Sequence, residues 1–181
     1  SPQYIDCLNN LLRKKMKLVA LSVLLFTSIL GNVEDNEKQL YKKATAAFEK
    51  GNYEEAILKY EELTAMNSSN SEYHFLTGLS YYKSRKDLSK AVEYFNNTIN
   101  TFEGDTIAET YYYLGRSYRE NGEFEKAKSA FQTFEHFLKD NEAGNALKTE
   151  LETEYQWVEN ALVFEERQEK LKKGLDRKST R

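Results

Sequence analysis

The sequence predicts an all-α fold, and three observations carry that prediction. Proline is nearly absent, a single residue at Pro2, and glycine numbers only eight, while Ala, Leu, Glu and Lys are abundant. Long helices are favoured by that composition over turn-rich sheet. A short pattern built around Gly, an aromatic ring and Ala recurs through the body of the chain. Finally, 13 Tyr and 10 Phe stand in an otherwise polar sequence, far more rings than the a and d positions of a simple coiled coil would use. Bulky rings are therefore expected to pack between helices.

The chain has 181 residues, enough for one domain with a core. Its formal charge is −3, and Arg13, Lys14, Lys15 and Lys17 precede the repeats, so the repeat region is more acidic than the whole. Nucleic acid is not an expected partner, because phosphate binding requires a basic face. Cys7 is the single cysteine, so no disulfide framework or thiol cluster is expected.

At the amino-terminal side, the four basic residues precede a 13-residue uncharged run from Leu18 to Leu30, followed by Gly31 and Asn32. The order basic, apolar, small is that of a signal peptide, read here as residues 16–31 with cleavage after Gly31. An uncleaved anchor and a buried core helix are the alternatives. The run is shorter than the roughly 20 residues that span a bilayer as a helix. Contact with a membrane is expected only through 18–30 before cleavage, and the mature protein in the periplasm or cell envelope of a bacterium. Met16 sits immediately ahead of this segment, and residues 1–15 receive no role. No Cys follows the run, so a lipid anchor has no acceptor there.

The repeats come next. Gly51-Asn52-Tyr53-Glu54-Glu55-Ala56 returns as Gly122-Glu123-Phe124-Glu125-Lys126-Ala127, with a degenerate copy at Asp87-Leu88-Ser89-Lys90-Ala91. Ala56, Ala91 and Ala127 are 35 and 36 residues apart. Each copy has a partner helix upstream: Leu40 to Phe48, Tyr73 to Tyr82, and Tyr111 to Tyr118. A period in this range marks stacked helix pairs.

In the third copy Tyr111, Leu114, Gly115, Tyr118, Gly122, Phe124, Ala127 and Phe131 occupy the positions of a large residue, Leu-Gly, Tyr, Gly, an aromatic, Ala and an aromatic. The first copy keeps Leu40, Ala44, Gly51, Tyr53, Ala56 and Tyr60. The second keeps Gly78, Tyr81, Ala91 and Phe95, with one residue inserted near Lys86. On these residues the sequence resembles the tetratricopeptide-repeat family. The resemblance implies a right-handed superhelix of about three helix-turn-helix pairs over 34–140, with repeats at 37–70, 71–105 and 108–141. It departs from the family in lacking the usual Pro after each second helix.

Small residues are needed where the two helix axes of a pair approach most closely: Gly or Ala in the first helix, Ala in the second. Tyr81, Phe95, Tyr118 and Phe131 are expected to fill the space between neighbouring pairs, since one pair cannot bury its apolar face alone. Beyond the third repeat, Leu147, Leu151, Tyr155, Val158 and Leu162 recur at helical steps beside Ala161, predicting an amphipathic capping helix over 142–173 and a charged tail over 174–181.

Chemistry is sparse. His74 and His136 sit in separate helices with no metal-ligand spacing, carboxylate pairs such as Glu54-Glu55 and Glu61-Glu62 read as solvated helix faces, and the glycines stand singly instead of forming a phosphate loop. No cofactor, metal or catalytic residue is expected.

The resemblance implies that the first helices line a concave face that binds a protein or peptide. Carried over position by position, its lining is Tyr41, Thr45, Phe48 and Glu49, then Phe75, Leu79, Tyr82 and Lys83, then Tyr112, Arg116, Arg119 and Glu120. Rings and arginines of this kind dominate protein interfaces. Tyr41 and Thr45 stand where members that grip carboxylate tails have Lys and Asn, so that clamp is not expected. In a competing expectation the segment 147–162 folds back across these rings.

Three functions follow as expectations. One is an exported, non-catalytic scaffold; another is a recruiting module of a larger envelope protein or enzyme continuing beyond Arg181; the third is a self-associating array. The order of signal segment, repeats and charged helix is similar to the front end of Bacteroidetes-type envelope proteins that continue into a β-propeller and an OmpA-like domain.

Overall fold

A computed structural model describes residues 35–101, 108–138 and 142–179. The expected signal segment and residues 1–15 lie outside the described residues. The chain divides into two compact units, 1–43 and 44–181. Of the first, only 35–43 are described, and they are helical.

Seven helices and no strand occur among the described residues. They are α1 (35–49), α2 (Tyr53–Met66), α3 (Ser71–Ser84), α4 (Leu88–Thr101), α5 (Ala108–Glu120), α6 (Phe124–Glu135) and α7 (Glu142–Ser179). From α2 onward each helix packs on the next in sequence. α7 is helical as far as Ser179, through residues expected to form the tail.

Turn chemistry sets where the helices stop. Gly51 and Gly122 both hold φ +77°, a left-handed conformation that closes the turns before α2 and α6 without a Cβ penalty. The middle turn uses Arg85 at φ 58° instead. Its extra residue is accommodated by Asp87, whose carboxylate accepts from the Lys90 amide at 3.0 Å and starts α4. Between α2 and α3, the Asn70 side chain accepts from the amides of Glu72 and Tyr73. The polar run at 67–70 thus ends one helix and caps the next.

Packing explains the repeated pattern. Ala56, Ala91 and Ala127 are each fully buried, as is Ala44 in α1. Phe95 and Phe131 are also fully buried and lie over the glycines of their own pair. A Cβ built on Gly78 would stand 3.0 Å from the Phe95 ring, and one on Gly115 would stand 2.5 Å from the Phe131 ring. Each ring contributes about 2 kcal/mol through burial alone.

All four rings reach the neighbouring pair or α7, as expected, and two of them also fill their own pair. Phe95 and Phe131 fill the inside of their pair, where the missing glycine side chain leaves room, and also meet the next element: Phe95 stacks 6.3 Å from Tyr113 of α5, and Phe131 clusters with Leu151 and Val158 of α7. Tyr81 and Tyr118 link neighbouring pairs: the Tyr81 hydroxyl donates to Glu61 on α2 at 2.8 Å, and the Tyr118 hydroxyl accepts from Asn96 on α4 at 3.5 Å.

Four buried hydroxyls are satisfied locally. Thr77, Ser80, Thr98 and Ser117 donate to the carbonyl four residues back. These four residues can thus sit at helix interfaces without an unpaired donor.

Candidate functional site

The residues expected along the inner faces of the first helices occupy three kinds of environment. In α1, Tyr41 is half-buried and belongs to the first unit. Thr45 shares a 3.1 Å hydrogen bond with the Tyr60 hydroxyl, and Phe48 meets Tyr53 edge-on at 5.3 Å. These two residues are partly committed to fixing α2 against α1.

In α3, Leu79 and Tyr82 are buried core residues. Tyr82 packs 5.5 Å from Tyr113 and donates to the Glu120 carboxylate at 3.1 Å. Neither side chain is open to a partner, because α5 covers them. Phe75, one turn earlier, is only half-buried and rests against Phe95 and Tyr113. Lys83 is exposed and lies over the Tyr113 ring at 5.9 Å.

In α5, Tyr112, Arg116 and Arg119 engage α7. The Tyr112 hydroxyl donates to Glu150, and Arg116 donates to Tyr112 at 3.1 Å. Arg119 forms an ion pair with Glu154, and Arg116 Nε lies 3.4 Å from the same carboxylate. Trp157 completes the contact, with the Arg119 guanidinium 5.2 Å from its ring. Glu154 is 6 % exposed, so its charge is balanced by the two arginines and not by water.

The network continues toward α3. Glu120 pairs with Arg119 at 3.4 Å and with Arg85 from the middle turn, and Arg85 also covers the Tyr82 ring. Three arginines and three glutamates, Arg85, Arg116, Arg119, Glu120, Glu150 and Glu154, thus form one nearly neutral chain across the inner side. Its electrostatics show in the phenols and guanidinium. Burial, then the hydrogen bond to Glu150, holds the Tyr112 phenol well above its ordinary value. The Arg116 guanidinium is lowered by burial but raised on balance by Tyr82, Tyr112 and Glu154.

Glu150, Glu154 and Trp157 were not among the residues expected at the site. Their signal in the sequence is faint: the two glutamates, four residues apart, flank the apolar stripe of α7 and read as part of a solvated face. The competing expectation, a segment over 147–162 laid against the inner residues, describes what happens to Tyr112, Arg116 and Arg119.

Two clefts stay open beside α3 and α5. The first, of about 510 Å³, lies between α5, the end of α6 and the start of α7, with Tyr112, Tyr113, Phe134, Phe137 and Leu147 as apolar walls and Glu109 and Glu150 at its edge. The second, of about 390 Å³, is lined by Phe75 and Leu76 of α3, Thr98 of α4, and Glu72, Glu109 and Thr110. Glu109, exposed in the first turn of α5, borders both.

Among the described residues there is no group of three or more His, Cys, Asp or Glu able to hold a metal ion, and no helix long and apolar enough to cross a membrane. His74 is buried and its Nε2 lies 2.9 Å from the Ser68 carbonyl, tying the loop at 67–70 to α3. His136 ends α6.

Family models described as tetratricopeptide repeat match residues 41–100 and 109–136. Each stretch is similar to that repeat. No curated protein matches the sequence. Among solved structures, the type III secretion chaperone SycD of Yersinia enterocolitica, in complex with a peptide of the translocator YopD, is similar at a TM-score of 0.61 and 15 % identity, covering 69 % of this chain and 93 % of that one. The CopN-Scc3 complex gives 0.57 and 23 %, covering 65 % and 67 %. The first tetratricopeptide domain of Spaghetti (RPAP3), bound to the HSP90 peptide SRMEEVD, gives 0.56 and 19 %, covering 66 % and 90 %. These likenesses establish the fold of this repeat chain: an all-α, right-handed superhelical array of helix pairs.

Proposed function

We propose that this protein is a non-catalytic scaffold that holds a peptide or an extended segment of another protein along the inner faces of α3 and α5. The observation that carries the reading is the pair of apolar clefts on either side of Glu109, which include Phe75, Tyr112 and Arg116 from the expected inner face. Apolar concavities with a few polar groups at the rim are the usual form of a recognition site. The solved structures named above include repeat domains bound to peptides, which supports the same reading. A photo-crosslinking residue placed at Phe75 or Tyr112 in the native cell is expected to capture one partner from both positions. Capture from neither would remove the proposal.

Export belongs to the same proposal. Residues 16–31 have the order of a signal peptide, and the mature protein works in the periplasm or cell envelope. Mass spectrometry of the purified native protein is expected to give an amino terminus at Asn32, and an intact residue 16–31 segment in a cytoplasmic fraction would refute it.

A second reading is favoured by one feature of α7. Trp157, Phe164 and Leu171, spaced seven residues apart on that helix, are 50 %, 62 % and 61 % exposed. Such a stripe suits either self-association or docking to further parts of a larger envelope protein or enzyme. Light scattering at rising concentration separates these, because only self-association increases the mass of the isolated chain.

A further inference from the structure

The arginines of the inner face are spent within the molecule. Arg116 and Arg119 converge on the buried carboxylate of Glu154, Tyr112 donates to Glu150, and Arg85 and Arg119 flank Glu120. An acidic ligand seeking these guanidinium groups would have to replace internal carboxylates already at contact distance. Beside both open clefts stands a carboxylate, Glu109.

Glu109 stands between the two clefts, is exposed, and makes no ion pair within the described residues. Glu72 borders the second cleft and Glu150 the first. Among the described residues no lysine lines either cleft, and the one arginine that does, Arg116, already faces Glu154 and Tyr112. The floors are apolar: Phe75 and Leu76 on one side, and Tyr112, Tyr113, Phe134, Phe137 and Leu147 on the other. Each volume, about 390 and about 510 Å³, is large enough for one bulky side chain of a ligand.

Resting on the function proposed above, we infer that the partner is a basic, two-anchor peptide: a Lys or Arg that meets Glu109, flanked on both sides by apolar or aromatic residues, one entering each cleft. The clefts supply burial, and Glu109 fixes the register. A single carboxylate between two apolar pockets selects against acidic segments as well as for basic ones, since like charge at the same place is repelled. Glu109 also lies in the first turn of α5, where a carboxylate favours the helix dipole. That stabilising role is modest and does not depend on any ligand.

The test uses the full chain and a phage-displayed library of random twelve-residue peptides. Selected peptides are expected to carry Lys or Arg between two apolar residues. A fluorescent synthetic copy of one such peptide should lose about tenfold in affinity for Glu109→Gln and more for Glu109→Lys. Its binding should also weaken as salt is raised, because the contact is exposed. Glu109 is on the surface, so circular dichroism of both variants should match the parent. Phe75→Ala and Leu147→Ala test the two clefts separately, each weakening the peptide while leaving the effect of Glu109→Lys in place.

Selected peptides that are acidic, or whose affinity is the same for Glu109→Lys as for the parent, overturn this inference while leaving a peptide-binding scaffold intact. Selection of no peptide, together with no crosslinked partner from Phe75 or Tyr112, overturns the function proposal itself.

Discussion

Gly115 lies so close to the ring of Phe131 that a methyl group on its Cα would stand 2.5 Å from Cε1. The same relationship recurs one repeat earlier between Gly78 and Phe95, more loosely, at 3.0 Å. Two helices of one pair therefore meet over a ring that fills the place of a missing side chain, and the glycine is there for space and not for backbone freedom.

Gly115→Ala is expected to destabilise the protein by about 1–2 kcal/mol, because overpacking at a fully buried ring outweighs the gain in helix propensity. Gly78→Ala has more room on its ring side and should change stability by less than about 1 kcal/mol. Urea unfolding of the two variants beside the parent measures the difference. Equal losses would show that the extra half ångström at Phe95 has no energetic meaning.

Phe131→Ala removes a fully buried ring from the cluster that joins α6 to α7 through Leu151 and Val158. A loss of about 3–5 kcal/mol is expected. Hydrogen exchange should show it first as faster exchange over 145–162, since α7 packs chiefly on α6.

Glu154→Ala leaves Arg116 and Arg119 facing each other across a site with little water. The expected cost is about 2–3 kcal/mol, most of it the penalty of unpaired partly buried charge. A double-mutant cycle with Arg119→Ala reads the coupling directly, and an additive result would mean that the pair contributes nothing beyond its separate members.

Alkaline pH should weaken the α2–α3–α4 junction. Tyr81 and Tyr94 stack at 5.8 Å and both donate to Glu61. Burial, then the Glu61 charge, pushes the Tyr94 phenol up to about 12, and burial with the Glu61 hydrogen bond raises Tyr81 as well. The folded state thus holds these protons more tightly than the unfolded chain, whose phenols ionise near 10. This stability is complete below pH about 10 and is lost as pH rises toward 12. For Tyr94 the loss is of order 1 kcal/mol after allowance for its solvent-facing part. Tyrosinate absorbance followed beside circular dichroism checks it. Glu61→Gln should bring the ionisation to lower pH.

The pattern of Gly, Ala and rings determined the helix pairs, because those positions are steric requirements that act within about 20 residues of chain. Ala56, Ala91 and Ala127 had to be buried for the axes to approach, and Gly51 and Gly122 had to close turns at positive φ. The amphipathic stripe of α7 was legible for the same reason, being a property of one helix. The register of α5 could also be read, so that Tyr112, Arg116 and Arg119 were expected on one face, and all three meet α7.

Tertiary structure alone decided what those residues touch. Glu150 and Glu154 are 35 or more residues from their partners in α5, and nothing in local spacing says at what angle α7 docks on α6. That angle set the arginines against carboxylates of α7, while the packing of α5 on α3 buried Leu79 and Tyr82 and placed Glu109 beside two apolar clefts. The sequence by itself specified the repeats and which residues share a helix face, since both follow from short-range geometry. Which charges on that face remain available was decided by long-range packing, where a carboxylate from one helix either reaches a guanidinium of another or does not.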